Sequence, residues 1–238
     1  MTSPITTMAN LTLESYFTSI KSNPCPSQLI DYKTARHSSP PECTGGLFDY
    51  VFAGDGVYIH ANRPELEVCF RIQQATVRGL PSLLPVFDFR LPRIPESFVR
   101  SMIRDANVWA EQGKETLFHL CWSDQALMDD GWVGFEPEQT RTLTSCTPAQ
   151  NSGSHDRAIV EAHSHHSMAA KFSPQDDADE TGFRLYAVIG RLPDAPEIRV
   201  RVGVYGYFWE IPAKFVMDVP EGVLGLHDTP VYQRRKRG

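Results

Sequence analysis

"RAIVEAHSHHSMAAKFSPQDD", residues 157–177, places three histidines within four positions and ends on a Ser-Pro-Gln-Asp step followed by a second aspartate. Its first half, "RAIVEAHSH", predicts a short strand. Side chains on a strand alternate between faces, so Ile159, Glu161, His163 and His165 share one face while Val160, Ala162 and Ser164 take the other. Two imidazoles then project side by side, which lets two nitrogens converge on one ion at the roughly 2.0–2.1 Å that neutral imidazole prefers for zinc. His166 points away on a regular strand and rejoins the pair only if the strand ends at Ser164. The second half, "SPQDD", has the signature of a helix start: Ser173 as cap, Pro174 in the first turn and Asp176 as the capping-box acid. Such a cap explains Ser173 and Asp176 without any metal. Beside H-x-H, the same carboxylate completes a His2Asp ligand set, with Ser173 next to the open coordination position. Asp177, one helical step of about 100° away, is the rival ligand.

Working outward, "PESFVRSMIRDANVWAEQG" (95–113) is the clearest helix, because Phe98, Val99, Met102, Ile103, Ala106, Trp109 and Ala110 recur at helical spacing and form one apolar stripe. Pro95 suits its entrance and Gly113 its exit. Next, "ETLFHLCW" (115–122) has the apolar run of a strand buried on both faces. Strands are also expected near "WVGFE" (132–136) and "RTLTSC" (141–146), then a mobile loop over "TPAQNSGSHD" (147–156). Beyond the histidines, "FRLYAVIGRL" (183–192) and "EIRVRVGVYGYFWEIP" (197–212) read as two long β-type segments. Strands and helices mix without βαβ alternation, so the fold class is α+β: a mixed sheet with helices packed on it.

The N-terminal part has a different texture. Residues 1–47 are rich in Ser, Thr and Pro ("KSNPCPSQ", "RHSSPPECTGG") and read as loosely structured, with one short helix near "LESYFTSI" (13–20). Residues 48–94 form a small β-rich region, in which "YVFAGDGVYIHA" (50–61) reads as two strands about a Gly-Asp-Gly turn and "LEVCFRI" (66–72) as a third. The core domain is then 95–230, and 231–238 a basic tail.

The bulk composition limits the partners. A chain of 238 residues with 41% hydrophobic content builds one sizeable domain, or a core domain with a smaller one appended. A formal net charge of −6 implies no surface basic enough for nucleic acid, and the terminal "RRKRG" reads as a solvated tail. Five scattered cysteines, none in a C-x-x-C pair, argue against a disulfide framework and a thiolate zinc site, and fit a reducing cytosol. No apolar run approaches the ~20 residues of a membrane helix, and the N-terminus lacks a signal-peptide pattern, so a cytoplasmic location is expected.

The spacing His163-Ser164-His165, seven residues, Ser173, two residues, Asp176 is H-[ST]-H-x7-S-x2-D. With it, residues 95–212 resemble the JAMM/MPN-domain metallo-isopeptidases, and look most similar to their prokaryotic branch, including the members carried by bacterial PRTRC cassettes beside ThiF-like and ParB-like proteins. The resemblance implies a cytidine-deaminase-like mixed sheet flanked by helices. It implies one catalytic Zn2+ on His163, His165 and Asp176, Ser173 as hydrogen-bond donor to the developing oxyanion, and a glutamate on the strand after the first helix as general base and acid. Glu115 is the matching position. The residues alone favour Glu161, which lies on the predicted histidine face. The resemblance further implies a ubiquitin-like or sulfur-carrier-like protein, or its conjugates, as substrate, and a ThiF-like activating enzyme in the same pathway. Two departures bear on the substrate groove: His166 stands where the family often has Pro, and "CWSDQ" where it has glycines soon after the glutamate strand. A non-catalytic, metal-stabilised MPN-like scaffold is the alternative. A small-molecule zinc deaminase is disfavoured because H-x-E with P-C-x-x-C is absent.

Overall fold

Alternation of inward apolar and outward polar residues organises the N-terminal strands, which in the computed structural model open the described part of the chain: residues 28–123, 131–149, 153–226 and 233–234. Strands β1 (Ile30–Thr34), β2 (Phe48–Ala53), β3 (Gly56–Arg63), β4 (Leu66–Gln74) and β5 (Val86–Phe89) form one sheet in that order. β1 runs parallel to β2, and the others are antiparallel neighbours. The Gly-Asp-Gly turn lies between β2 and β3, at Gly54 and Asp55. Two of this sheet's strands, β1 and β5, were not legible in the sequence. β1 corrects the view of 1–47 as loosely structured, since residues 30–34 join the sheet, while the expected helix at 13–20 lies outside the described residues.

Helix α1 (Glu96–Ala110) starts after Pro95 and buries Val99, Met102 and Ala106, as its apolar stripe requires. Gly113, at φ 65°, lets the chain turn towards the next strand in a backbone conformation other residues avoid. The second sheet then builds from β6 (Leu117–Trp122), β7 (Trp132–Phe135), β10 (Ala158–Ser164), β11 (Phe183–Gly190), β12 (Glu197–Val204), β13 (Tyr207–Ile211) and β15 (Gln233–Arg234), with β14 (Leu224–Leu226) beside β12. Its spatial order is β15-β13-β12-β11-β10-β6-β7. "EIRVRVGVYGYFWEIP" is thus a hairpin of two strands, turned by Tyr205 and Gly206, both at positive φ.

Between β7 and β10 a separate ribbon pairs β8 (Gln139–Arg141) with β9 (Cys146–Pro148). This corrects the expected strand at "RTLTSC". The Thr142 hydroxyl accepts from the backbone N–H groups of Thr144 and Ser145, folding that stretch into the ribbon's turn. The expected loop at 147–156 likewise begins in β9 and reaches Gly153 across residues outside the described set.

The histidines lie at the end of a parallel pair, β10 with β11, flanked on the other side by antiparallel β6. Parallel neighbours need a long crossover, and residues 165–182, carrying the short helix α2 (Pro174–Asp179), supply it. β10 and β11 are almost fully buried, as expected of central strands covered on both faces. One hydrophobic cluster includes Ile59, Val68 and Phe70 of the first sheet, Val99 and Met102 of α1, and Leu185, Ile189 and Val202 of the second. The first sheet packs directly on β13: Phe70 lies 5.6 Å from Trp209 ring to ring, and the Tyr50 and Tyr207 hydroxyls share a 2.7 Å hydrogen bond. The protein is therefore a sheet-rich α+β molecule with two α-helices among the described residues, and no described helix is long and apolar enough to cross a membrane.

Asp49 ties the loop before β2 to β1. Its buried carboxylate accepts from the backbone N–H of Thr44 (3.0 Å) and Gly45 (2.7 Å) and pairs with Lys33 Nζ at 2.9 Å. Burial opposes ionisation, but the Lys33 hydrogen bond and the two N–H donors outweigh it and hold the carboxyl below its usual range. A depressed native pKa contributes stability above the unfolded value, near 3.9, that is lost as pH falls through the native one. Asp49→Ala should cost about 3 kcal/mol at pH 7 in urea unfolding, because three donors lose their acceptor. That gap should begin to narrow below about pH 4, where the unfolded carboxyl takes up a proton first, and close only once the pH has passed the lower native value.

Candidate metal centre

Strand β10 carries His163 to the end of the sheet, and two bonds hold the residues after it in place. The Ser164 hydroxyl, on the opposite face, accepts from Thr116 N at 3.0 Å, while Ser164 N donates to Thr116 O at 2.9 Å. His165 then donates its N–H to Ile189 O at 2.7 Å and so stays in register with β11 although β10 has ended. Gly190 permits this packing, since a Cβ there would sit 2.3 Å from Ala170 N in the returning loop. His163 and His165 therefore face the same way, with Nε2 atoms 3.1 Å apart and both residues buried. His166 leaves the strand at φ 35° and faces Leu143 O at 3.1 Å, outside the pair.

Asp176 closes the triangle. Ser173 and Asp176 make the complete capping box: Ser173 Oγ accepts from Asp176 N at 3.2 Å, and Ser173 N donates to Asp176 Oδ2 at 2.6 Å. The same carboxylate sits with Oδ1 3.3 Å from His163 Nε2 and Oδ2 3.6 Å from His165 Nε2. Cap and candidate ligand are thus one residue, and the two readings of "SPQD" are compatible with each other. Asp177 is turned away to Arg201, at 2.5 Å. A tetrahedral ion with bonds of 2.0–2.2 Å spaces its ligand atoms roughly 3.3–3.6 Å apart. The two Nε2 atoms at 3.1 Å, with one carboxylate oxygen of Asp176 3.3 Å from His163 and the other 3.6 Å from His165, lie near that requirement, and one ligand atom from each residue lies within 4.8 Å of the others. His163, His165 and Asp176 could therefore hold zinc.

Burial opposes protonation of His163, but the hydrogen bond and charge of Asp176 outweigh it and hold the imidazole above its usual range, so an ion bound there takes the place of a proton. Burial would raise the Asp176 pKa, yet the His163 hydrogen bond and charge hold it well below the usual carboxylate range. Burial, then the neighbouring His163, pushes His165 down to about 4, so its imidazole is neutral, the form in which it can ligate an ion.

Glu115 enters from the chain just before β6. Thr116 is pinned to Ser164, and Glu115 N donates to Thr142 O of the β8–β9 turn at 3.0 Å, so the residue is fixed from both sides. It is 3% exposed, with its carboxylate 3.9 Å from His165 Nε2, beside the pair but beyond hydrogen-bond reach of it. Burial raises its pKa to about 7, His163 opposing and Asp176 adding to the rise. Such a carboxyl can both take and release a proton at neutral pH.

Glu161 lies on the histidine face, as β10's alternation predicts, but its Oε2 is held by His155 Nδ1 at 3.2 Å and Arg184 at 3.3 Å, with His119 Nε2 at 3.6 Å. Burial acts against its charge, but these partners more than offset it and keep it ionised, below the ordinary range. It can accept a proton only poorly, which separates it from Glu115. Cys146 also lines the cleft, and burial, then the surrounding carboxylates, pushes its thiol up, so it is no thiolate.

Two supporting residues escaped the sequence reading. Glu180 is buried and pairs with Arg201, whose Nε and Nη2 approach Glu180 Oε2 at 2.7 and 2.6 Å. Arg201 is also sandwiched between the rings of Phe172 and Phe208, at 3.9 and 3.7 Å. The available signals were an arginine inside the valine-rich "RVRVGV" and a glutamate four residues after Asp176, on the same helical face. No protein-family model matches the chain and no curated protein matches it, so the reading of this centre rests on its own residues.

Proposed function

We propose that the chain is a zinc-dependent peptidase of JAMM/MPN type, hydrolysing the amide bond next to the C-terminal tail of a ubiquitin-like or sulfur-carrier-like protein. The observation that carries this reading is the convergence of His163, His165 and Asp176 at ligand spacing with the buried carboxyl of Glu115 beside them. Bound by the three ligands, Zn2+ would polarise the scissile carbonyl and make water acidic near neutral pH. Glu115 takes the proton released as the water oxygen bonds to the carbonyl carbon. It then delivers that proton to the amine nitrogen as the C–N bond breaks, leaving an acid and an amine. Ser173 uses only an oxygen lone pair in the cap, so its O–H is available to the developing oxyanion.

The cleft over these residues runs between the β8–β9 ribbon, at Thr144 and Ser145, and α2, at Gln175 and Asp179. An extended, Gly-rich tail suits such a slot, because a strand-like segment can add its backbone to a ribbon edge. Conjugates of a ubiquitin-like protein, made by a ThiF-like activating enzyme, are the substrate class proposed. Zinc-loaded protein should cleave a fusion or isopeptide conjugate bearing such a tail, monitored by mass spectrometry, and His163→Ala should abolish turnover and lower bound zinc. If zinc-loaded, folded protein cleaves no tail of this class, the peptidase reading fails. Tail binding that survives His163→Ala, with no turnover by the unsubstituted protein, is the result expected of a scaffold instead.

A further inference from the structure

On the same face of the second sheet, next to the centre above, β6 and β10 bring together a second group. Glu161 and His119 are cross-strand partners, and His155 comes from the loop leading into β10. One ligand atom from each of the three lies within 4.8 Å of the others. Glu161 Oε2 stands 3.2 Å from His155 Nδ1 and 3.6 Å from His119 Nε2, spacings close to the roughly 3.3–3.6 Å a tetrahedral ion imposes.

A closed hydrogen-bond network does not account for this group. The His119 side chain is fully buried, its Nε2 has no hydrogen-bond partner, and 3.6 Å to Glu161 is too long to be one. Its other nitrogen is engaged, with Nδ1 2.8 Å from Ser154 Oγ. A metal-binding imidazole characteristically has that arrangement, one nitrogen oriented by a neighbour and the other presented to the ion. Arg184 Nη1 lies 3.3 Å from the same Glu161 oxygen and would share that carboxylate with an ion. It donates to His155 O at 2.8 Å, so part of its role is to hold the ligand-bearing loop, and a carboxylate has about four lone-pair sites to share.

We propose that His119, His155 and Glu161 form a second divalent-cation site, of the zinc class given two imidazoles and a carboxylate. Filled, it ties the 153–157 segment to β6 and β10 and gives buried His119 Nε2 the partner it lacks. It also assigns Glu161 to this site, leaving the first centre to Glu115.

Zinc retained after equilibrium dialysis and desalting tests the proposal, with inorganic Zn2+ alone as probe. The unsubstituted protein should keep two equivalents, His155→Ala one, His163→Ala one, and the double variant none. His155 is half-exposed, so its substitution should leave the fold intact by circular dichroism. A single equivalent that His155→Ala keeps and His163→Ala loses overturns the second site while sparing the first. A single equivalent with the reverse pattern supports the second site and counts against the His163 centre. No retained zinc overturns both.

Discussion

Glu115→Gln is expected to lower turnover by about 10²–10⁴-fold while leaving bound zinc unchanged. Glutamine keeps the shape and buried volume of the side chain but has no carboxylate to take the proton from water or return it to the leaving amine. Binding of the ion should survive, because Glu115 sits 3.9 Å from His165 Nε2 and is not one of the grouped candidate ligands His163, His165 and Asp176. The two measurements together exclude a merely structural role, which would reduce both. Glu161→Gln is the internal control. Its carboxylate is occupied by His155 and Arg184, so its loss should leave the chemical step within about tenfold of the unsubstituted rate, far from the general-base range. A Glu161 variant as inactive as Glu115→Gln would reverse the assignment.

That pair also marks where reading the sequence succeeds and where it stops. Period-two alternation puts His163 and His165 on one face, and capping chemistry locates Ser173 and Asp176. Both are local rules, and both agree with the observed geometry. The stripe of α1 is equally local, with Val99, Met102 and Ala106 buried as its spacing predicts. The same local logic favoured Glu161 as base, because i and i+2 share a face. What sets Glu161 apart from Glu115 is its partners: His119 on β6, His155 before β10 and Arg184 on β11, a convergence set by strand order rather than by any sequence interval. Glu115 shows the converse. Its place beside His165 depends on Thr116 pairing with Ser164, which needs β6 antiparallel to β10. The strands missed are short or at an edge: β1 is half-buried, β5 has four residues, β14 three, and β15 two within the stretch expected to be a basic tail, while "RTLTSC" differs because one threonine hydroxyl turns a strand-like composition into a bend.

Arg201→Met should be the most destabilising single change near the centre, at about 3–5 kcal/mol, because it strips a buried ion pair of one partner. Arg201 is 2% exposed and bonds Glu180 and Asp177, both on the α2 segment, while its guanidinium stacks between Phe172, just before the Ser173 cap, and Phe208 of β13. It therefore fastens to the sheet the short helix that presents Asp176. Without it, Glu180 keeps the burial that pushes its pKa up and loses the largest of the charges that oppose that rise, so its carboxylate is left without its main partner. The effect should also reach the metal: supporting contacts of this kind typically change metal affinity 10–100-fold, and Arg201→Met should weaken zinc binding in that range although it touches none of the three ligands. A double variant separates charge from packing. If an unpaired carboxylate is the source of the loss, Arg201→Met with Glu180→Gln should be more stable than the sum of the two single changes predicts, measured by urea unfolding. Additive losses would place the contribution of Arg201 in its stacking on Phe172 and Phe208 instead.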